Sequence, residues 1–323
     1  MTQGPVFVAG MERSGTSLLF ALLGSHPDIA MTRRTNLWRY VYGQYGDLAD
    51  PRQLDRCLAD LRRYKRLVVL DLDFDSLRRQ FGAGPPTYPR LFELIWRQVA
   101  DREGKPRWGD KSLMTERFAD LIFDSYPGAR ILHMIRDPRD RFASVQARWG
   151  NRLGGVGAGA AEWMQSAHLA LSNQRRHPHG YRVVRYEDLV SDPEGALGGV
   201  CEFIDAPWSD RMLEMTGAGE FREAGGNSSY GRRRPGAISP DSIGRYRTVL
   251  HPTQVEFLEL TTGETMRRLG YLPGGASAPR TWGRARYPME TLRYVGWQAR
   301  EAIRARRSGG GIPGYRLLEV SST

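Results

Sequence analysis

The chain has 323 residues, of which 40% are hydrophobic and 26% charged, so it is long enough to bury one large core or two ordinary ones. Its net charge of +11 predicts affinity for anions such as nucleotides, sulfated or phosphorylated molecules, nucleic acid or anionic lipid. The sequence shows no apolar stretch of transmembrane length and no signal-peptide pattern, and we expect a cytoplasmic protein. Cys57 and Cys201 lie in apolar helical patterns, which predicts reduced core thiols rather than a disulfide or metal site.

The first motif is a strand, a glycine-rich turn and a helix. Residues 5–9 form an apolar run typical of a buried strand, and a helical pattern covers residues 17–24. In that order, backbone N–H groups and the positive end of the helix dipole converge on one point, which is a site for a phosphate or similar oxyanion. Arg13 adds a permanent positive charge to the turn.

The turn nearly matches the nucleotide-binding pattern G-x-x-x-x-G-K-[ST], with Gly10, Gly15 and Ser17 in register. Thr16 stands where that pattern has the lysine that reaches the β and γ phosphates. This replacement favours an anion with fewer phosphates and no bound metal. The alternative is a glycine turn that merely lets the helix pack close to the strand.

Further along the chain, helical patterns alternate with short apolar runs that predict strands. The predicted strands are residues 107–112, 129–135 and 181–186, and the run 67–72 fits either a strand or a helix. A capping box of Ser191 and Glu194 is expected to open a later helix. Strands separated by helices predict an α/β fold of three layers, α/β/α, with a central parallel sheet that binds ligands at the carboxyl ends of its strands.

Arg136 follows the strand predicted at 129–135, and Ser144 and Arg148 lie at i and i+4 on the helix after it. One face of that helix would therefore present a hydroxyl and a guanidinium beside Arg136, as a second phosphate site. The alternative is a solvated helix face whose N-cap is Asp137.

The order and spacing of these motifs resemble the sulfotransferases that use 3′-phosphoadenosine 5′-phosphosulfate (PAPS), in the branch that includes tyrosylprotein sulfotransferases and many bacterial enzymes. The family's 5′-phosphosulfate loop is matched by residues 13–17, and its 3′-phosphate element by residues 135–139 continuing to Ser144 and Arg148. A Tyr-Glu-Asp-Leu segment begins at Tyr186. Residues 108–112 resemble the family segment that bears a lysine near the transferred group.

The resemblance implies a P-loop-like fold that transfers a sulfuryl group from PAPS, as cosubstrate and without a metal, to a hydroxyl or similar nucleophile. The acceptor would be a small molecule, glycan or peptide, and no nucleic acid is expected. Lys111 and Arg13 would act in catalysis. The residues that would bind PAPS are Arg13, Ser14, Gly15, Thr16, Ser17, Arg136, Ser144, Arg148, Tyr186, Ser229 and Arg245. The last two lie in a polar segment, residues 217–247, that we expect to close over the site.

The base that would accept the acceptor's proton is missing from its usual places. In this branch a glutamate often follows the His-Pro-Asp turn, where this chain has Arg33, and cytosolic enzymes use a histidine where it has Leu113. The substitutes are Asp110, Glu12, Asp71, Asp73 and Asp75. The last three lie in a segment that fits a strand facing a cleft or, preferably, a solvated face or helix cap. His133, inside an apolar strand, is expected to be a hydrogen-bonded core residue.

Two further regions have open interpretations. The aromatic segment with Trp38, Tyr40 and Tyr42 either shapes an acceptor pocket or, preferably, packs against the next helix. We assign residues 1–272 to the main domain and residues 273–323 to a linker and basic helical extension. The extension either contacts an anionic membrane surface or an acidic substrate, or docks on the domain through an apolar stripe. That stripe is Met289, Leu292, Gly296, Ala299 and Ile303.

Two other functions are compatible with the same motifs. A nucleotide or small-molecule kinase would require ATP and magnesium, although the loop lacks the lysine typical of that class. A protein that binds polyanions or a membrane surface without catalysis is compatible with the missing base. The sequence specifies neither the acceptor nor the oligomeric state.

Overall fold

The computed structural model describes residues 3–150, 155–215, 238–274 and 287–307, with the side chains of residues 304–307 excepted. In these parts the strands are β1 (Val6–Gly10), β2 (Ile29–Arg33), β3 (Arg107–Lys111), β4 (Arg130–Ile135) and β5 (Tyr181–Arg185). The helices of the first half are α1 (Thr16–Gly24), α2 (Leu37–Tyr40), α3 (Pro51–Arg63), α4 (Lys65–Val68), α5 (Phe74–Gly82), α6 (Tyr88–Arg102) and α7 (Ala119–Ser125), with a 3₁₀ turn at Thr115–Phe118. Those of the second half are α8 (Pro138–Trp149), α9 (Gly155–Arg176), α10 (Tyr186–Ser191), α11 (Pro193–Phe203), α12 (Arg211–Glu214), α13 (Tyr246–Val249), α14 (Pro252–Arg268) and α15 (Pro288–Arg307), with a 3₁₀ turn at Pro240–Ser242.

The sheet has the strand order β2-β3-β1-β4-β5, and each pair of neighbours is parallel. Val8 lies opposite Lys111, and Gly10 lies opposite Met134, so β1, β3 and β4 end at the same edge. The predicted parallel α/β architecture is confirmed. Its consequence is that the glycine loop after β1, Lys111 and Arg136 all lie at the carboxyl edge of one sheet.

Alternating side chains of β1 enter two different cores on the two faces of the sheet, as a period of two requires. Phe7 packs among aromatic side chains, with its ring centroid 5.7 Å from those of both Trp96 and Trp108. Val8 faces the opposite core, together with Leu19 of α1. A third core forms where α8, α9, α14 and α15 pack together.

Both cysteines are buried free thiols, as predicted, and burial raises the pKa of Cys57 to about 12. A raised pKa keeps the sulfur protonated and unreactive at neutral pH. Within the described segments, no helix combines the length and the apolar composition that crossing a membrane requires.

One open interpretation is settled and one local prediction is corrected. The segment around residues 67–75 contains α4 and a turn rather than a strand, and Asp73 caps α5, as the preferred interpretation expects, by accepting hydrogen bonds from the N–H groups of Asp75 and Ser76. The expected capping box at Ser191 is wrong, because Ser191 ends α10 and the side chain of Asp192 caps α11 instead. In both places a carboxylate satisfies open N–H groups at a helix start.

The aromatic core gives a first testable prediction. Phe7 has no exposed surface, so Phe7→Ala removes buried apolar area and leaves a cavity among rings that cannot collapse onto it. We expect the free energy of unfolding to fall by about 3–5 kcal/mol in denaturant titrations. Val69→Ala is the control, because Val69 is 78% exposed and its loss should cost less than about 0.5 kcal/mol. Similar losses for the two variants would contradict this account of the core.

Candidate active site

The loop between β1 and α1 leaves the first turn of α1 open to a ligand. Gly15 precedes the helix in the left-handed conformation, with φ of 93°, and offers no side chain to cap it. A Cβ at Gly15 would lie 2.5 Å from Cδ2 of Tyr186, so the tyrosine ring packs directly against the loop. The free N–H groups of the first turn and the helix dipole both favour an anion at this point.

Five of the predicted site residues meet around the guanidinium of Arg136. Arg13 Nε donates to Ser144 Oγ at 2.9 Å, and Arg136 Nη1 donates to the carbonyl oxygen of Arg13 at 3.4 Å. The Arg136 guanidinium carbon lies 4.4 Å from the centre of the Tyr186 ring, which in turn contacts Gly15. The structure therefore brings the two predicted anion sites together at one rim of the sheet.

Ser14 Oγ and Arg136 Nε are among the buried polar atoms that have no hydrogen-bond partner within the described residues. Buried donors are normally paired, so these two are open to a ligand at this rim. One lies in the loop and the other at the end of β4. This arrangement fits a ligand with two separate anionic groups, such as the 5′-phosphosulfate and 3′-phosphate of PAPS.

The described part of the polar segment, residues 238–247, lies against the same rim. Arg136 Nη2 donates to the carbonyl oxygen of Ser242 at 2.8 Å. The carboxylate of Asp140 accepts from the N–H groups of Gly244 at 2.7 Å and Tyr246 at 2.9 Å. Burial raises the pKa of Asp140 despite these hydrogen bonds. Arg245 is half-buried between the two anchored residues, whereas Ser229 lies outside the described residues.

Lys111 ends β3 with only 5% of its surface exposed, so it is not an ordinary surface lysine. Burial, together with the guanidinium of Arg34, lowers the pKa of its ammonium group to about 8. The carboxylate of Glu12 opposes this shift by favouring the charged form. Lys111 is thus a cation that can lose its proton near neutral pH, at the carboxyl end of the sheet.

Asp110, next to Lys111, acts as a structural carboxylate. It accepts hydrogen bonds from the hydroxyl groups of Thr32 at 2.8 Å, Thr35 at 2.9 Å and Ser112 at 2.6 Å. Its burial nevertheless raises its pKa to about 6. Thr32 lies in β2, Thr35 in the turn after it and Ser112 directly after β3, so Asp110 holds the two strand ends together rather than facing an acceptor.

A cavity of about 350 Å³ lies beside the glycine loop. Glu12, Tyr40 and Glu116 contribute to its lining, so Glu12 is the sequence-proposed base that both lines this cavity and interacts with Lys111. Two of the other proposed carboxylates have structural roles away from the cavity. Asp73 caps α5, and Asp75 forms a surface ion pair with Arg62.

Sequence reasoning missed a buried polar chain that ends at this cavity. Tyr181 Oη lies 2.5 Å from Nδ1 of His133, and Nε2 of His133 lies 3.0 Å from Oγ of Ser166. The Ser166 hydroxyl donates to Glu116 at 3.3 Å, and the other carboxylate oxygen accepts from the N–H of Gly10 at 3.3 Å. Burial lowers the pKa of His133. The expectation of a hydrogen-bonded core histidine is confirmed, but its partners come from distant segments.

Arg141 is a second residue that the sequence did not single out. It is 2% exposed, donates to the carbonyl oxygen of Glu12 at 3.2 Å, and pairs with Glu162 at 2.7 Å on the cavity wall. The only sequence signal was its position one turn into the helix after Arg136. The predicted Arg148 instead lies at the exposed end of the same helix.

The remaining predicted residues have simple surroundings. Thr16 is buried and Ser17 half-buried in the first turn of α1. Trp38 packs in the aromatic core, with its ring centroid 5.3 Å from that of Phe92, as the preferred interpretation expects. Tyr40 differs from its neighbours because it lines the cavity.

Comparison with known proteins agrees with this geometry. Protein-tyrosine sulfotransferase of Drosophila melanogaster is 26% identical over 216 residues, which are 64% of this chain and 39% of that protein. Protein-tyrosine sulfotransferase A of Caenorhabditis elegans is 24% identical over 214 residues, covering 64% of this chain and 51% of that protein. The chain therefore spans about two fifths to one half of the length of these relatives.

Two solved structures share the fold. The sulfotransferase domain of the Synechococcus PCC 7002 olefin synthase aligns with a TM-score of 0.56 at 20% identity, over 83% of this chain and 94% of that domain. The sulfotransferase domain from the curacin biosynthetic pathway aligns with a TM-score of 0.54 at 17% identity, over 84% and 99%. The model of the sulfotransferase family matches residues 5–210, which is more than half of the sequence. The chain belongs to the sulfotransferase family.

Proposed function

We propose that this protein transfers the sulfuryl group of PAPS to a hydroxyl group of an acceptor bound in the cavity beside the glycine loop. The observation that carries the proposal is the contact of Arg136 with both the loop and the segment at residues 238–247, next to unpaired buried donors. A ligand with phosphate groups at both ends of a nucleoside matches that arrangement.

Different residues would bind the two anionic ends of PAPS. The first turn of α1, with Ser14 and Thr16, would hold the 5′-phosphosulfate through N–H and hydroxyl donors. Arg136 and Ser144 would hold the 3′-phosphate at the end of β4, with the hydrogen bond from Arg13 keeping Ser144 in place. Binding of this kind requires no metal, because fixed donors and cations neutralise the phosphates.

In the transfer step the acceptor oxygen bonds to sulfur, and the bond from sulfur to the 5′-phosphate oxygen breaks. The products are a sulfate ester and adenosine 3′,5′-bisphosphate. Lys111 and Arg13 would stabilise the negative charge that develops on the leaving phosphate. Glu12 would take the proton of the acceptor hydroxyl, because its carboxylate lines the cavity and lies near Lys111.

The transfer step requires only that the acceptor carry a hydroxyl group. The names of the relatives point to a tyrosine phenol in a peptide, and Tyr40 supplies the cavity with an aromatic surface against which a ring can pack. We therefore propose a phenolic hydroxyl as the first acceptor class to test, ahead of glycans and aliphatic alcohols.

Nucleotide binding is the first test of this function. We expect calorimetric titration to show binding of adenosine 3′,5′-bisphosphate without metal, and Arg136→Ala to weaken it about ten- to a hundredfold through loss of charge-assisted hydrogen bonds. The exposed Arg175 on α9 provides a matched control, and Arg175→Ala should bind like the wild type. Preference for ATP with magnesium would replace this proposal with a kinase, and binding only to polyanions would indicate a non-catalytic protein.

The lowered pKa of Lys111 predicts the alkaline side of the pH profile. Deprotonation above pH 8 removes the charge needed in the transition state, so kcat/KM should fall about tenfold per pH unit above about 8. Lys111→Arg keeps a permanent charge, and its profile should stay flat in that range even if its maximum is lower. Superimposable profiles would show that another group causes the loss.

The role of Glu12 is tested against Glu116, which lines the same cavity. Glu12→Gln should lower kcat about a hundredfold or more while leaving the affinity for adenosine 3′,5′-bisphosphate unchanged, because it removes a proton acceptor and little else. Glu116→Gln should retain more activity. The reverse order of effects would identify Glu116 as the base and would leave the proposed reaction intact.

A further inference from the structure

Helix α15 presents an apolar surface to solvent. Met289 is 61% exposed, Leu292 68%, Val295 53% and Ile303 49%. With Gly296 and Ala299 these residues lie on one side of the helix, and α15 is about 30 Å long at 1.5 Å per residue. We call this set the outer stripe.

The helix docks on the domain through the opposite side. Tyr294 is buried, and Glu301 is 6% exposed and accepts a hydrogen bond from Arg117 at 2.6 Å. Glu290 accepts from the N–H of Gly157 at 2.7 Å. A Cβ at Gly157 would lie 2.0 Å from the carbonyl oxygen of Glu290, so the missing side chain lets the two helices touch. Of the two interpretations of this extension, the one in which the apolar stripe docks on the domain is therefore wrong.

The charged residues of α15 are also distributed unequally between its docked side and its solvent side. The sequence of α15 has five arginines and two glutamates, and both glutamates belong to the docked side. Arg300 borders the outer stripe and is exposed, and Arg293, also exposed, forms an ion pair with Glu290 at the edge of the docked side. The solvent side thus combines apolar side chains with positive charge and carries no carboxylate among its described residues.

We propose that α15 is a docking surface for anionic lipid bilayers, lying in the plane of the membrane with the outer stripe among the acyl chains. An interfacial helix needs a long apolar face, a basic border and no central acidic group, and α15 has all three. A second copy of this chain fits less well, because joining two such faces brings arginines of equal charge together in a protein of net charge +11. Arginines near an anionic surface each add attraction that salt weakens.

Vesicle sedimentation of the full chain tests this proposal. The protein should co-sediment with vesicles of equal parts phosphatidylglycerol and phosphatidylcholine, and much less with phosphatidylcholine alone. Leu292→Glu should weaken binding to the anionic vesicles about tenfold or more, because it removes an apolar side chain that would enter the bilayer and adds repulsion. Val69→Glu is the matched control, since Val69 is an exposed valine on a different helix end and should leave binding unchanged.

A second variant separates the contribution of charge from that of the apolar side chains and controls for misfolding. Arg300→Gln should lower binding to anionic vesicles about fivefold at low salt and have no effect on the melting temperature. Equal binding to neutral vesicles, or unchanged binding by both variants, would overturn the proposal. A wild-type dimer that Leu292→Glu converts to monomers would also overturn it, because the outer stripe would then join two copies.

Discussion

The geometry of the candidate active site depends on the contacts that the buried guanidinium of Arg136 makes. It donates to the carbonyl oxygens of Arg13 and Ser242 and stacks on the ring of Tyr186, so one side chain connects three separate segments of the chain. Burying a cation is costly unless its donors are paired, and here one donor, Nε, has no partner within the described residues. The rim is therefore assembled before an anion arrives, and an anion that pairs this donor stabilises the fold through binding.

Positive side chains from β2 and from the turn after it surround Lys111 at the end of β3. Burial lowers the pKa of Lys111, and so do the guanidinium groups of Arg34, directly after β2, and of Arg33, at the end of β2. A carboxylate at those positions would instead raise this pKa and compete with the bound anion. Glu12 lies in the glycine loop, where its carboxylate partly offsets the cations without entering β2.

Sequence reasoning was most successful where a local pattern sufficed. The strand, loop and helix at the N-terminus, the strands before Lys111 and Arg136, and the parallel sheet all follow from apolar periodicity and glycine positions. It failed where a polar residue is buried by tertiary contacts. Glu116 looks like an ordinary charged residue in the sequence, and only the fold brings it to Ser166 and Gly10. No rule of sequence spacing predicts a hydrogen-bonded chain whose members come from five different elements.

Helix α15 is a second case in which tertiary contacts, and not local sequence spacing, decide the arrangement. Its apolar spacing was compatible with docking through the stripe, because burial of apolar area is favourable. The fold instead offers Arg117, which lines the cavity and would be left without its ion pair to Glu301 if α15 rotated to bury the stripe. The Arg117 side chain is only 19% exposed, so leaving its guanidinium without this carboxylate is costly and opposes that rotation. Pairing of Glu301 therefore fixes the rotation of the helix, and the outer stripe remains on the surface as its consequence.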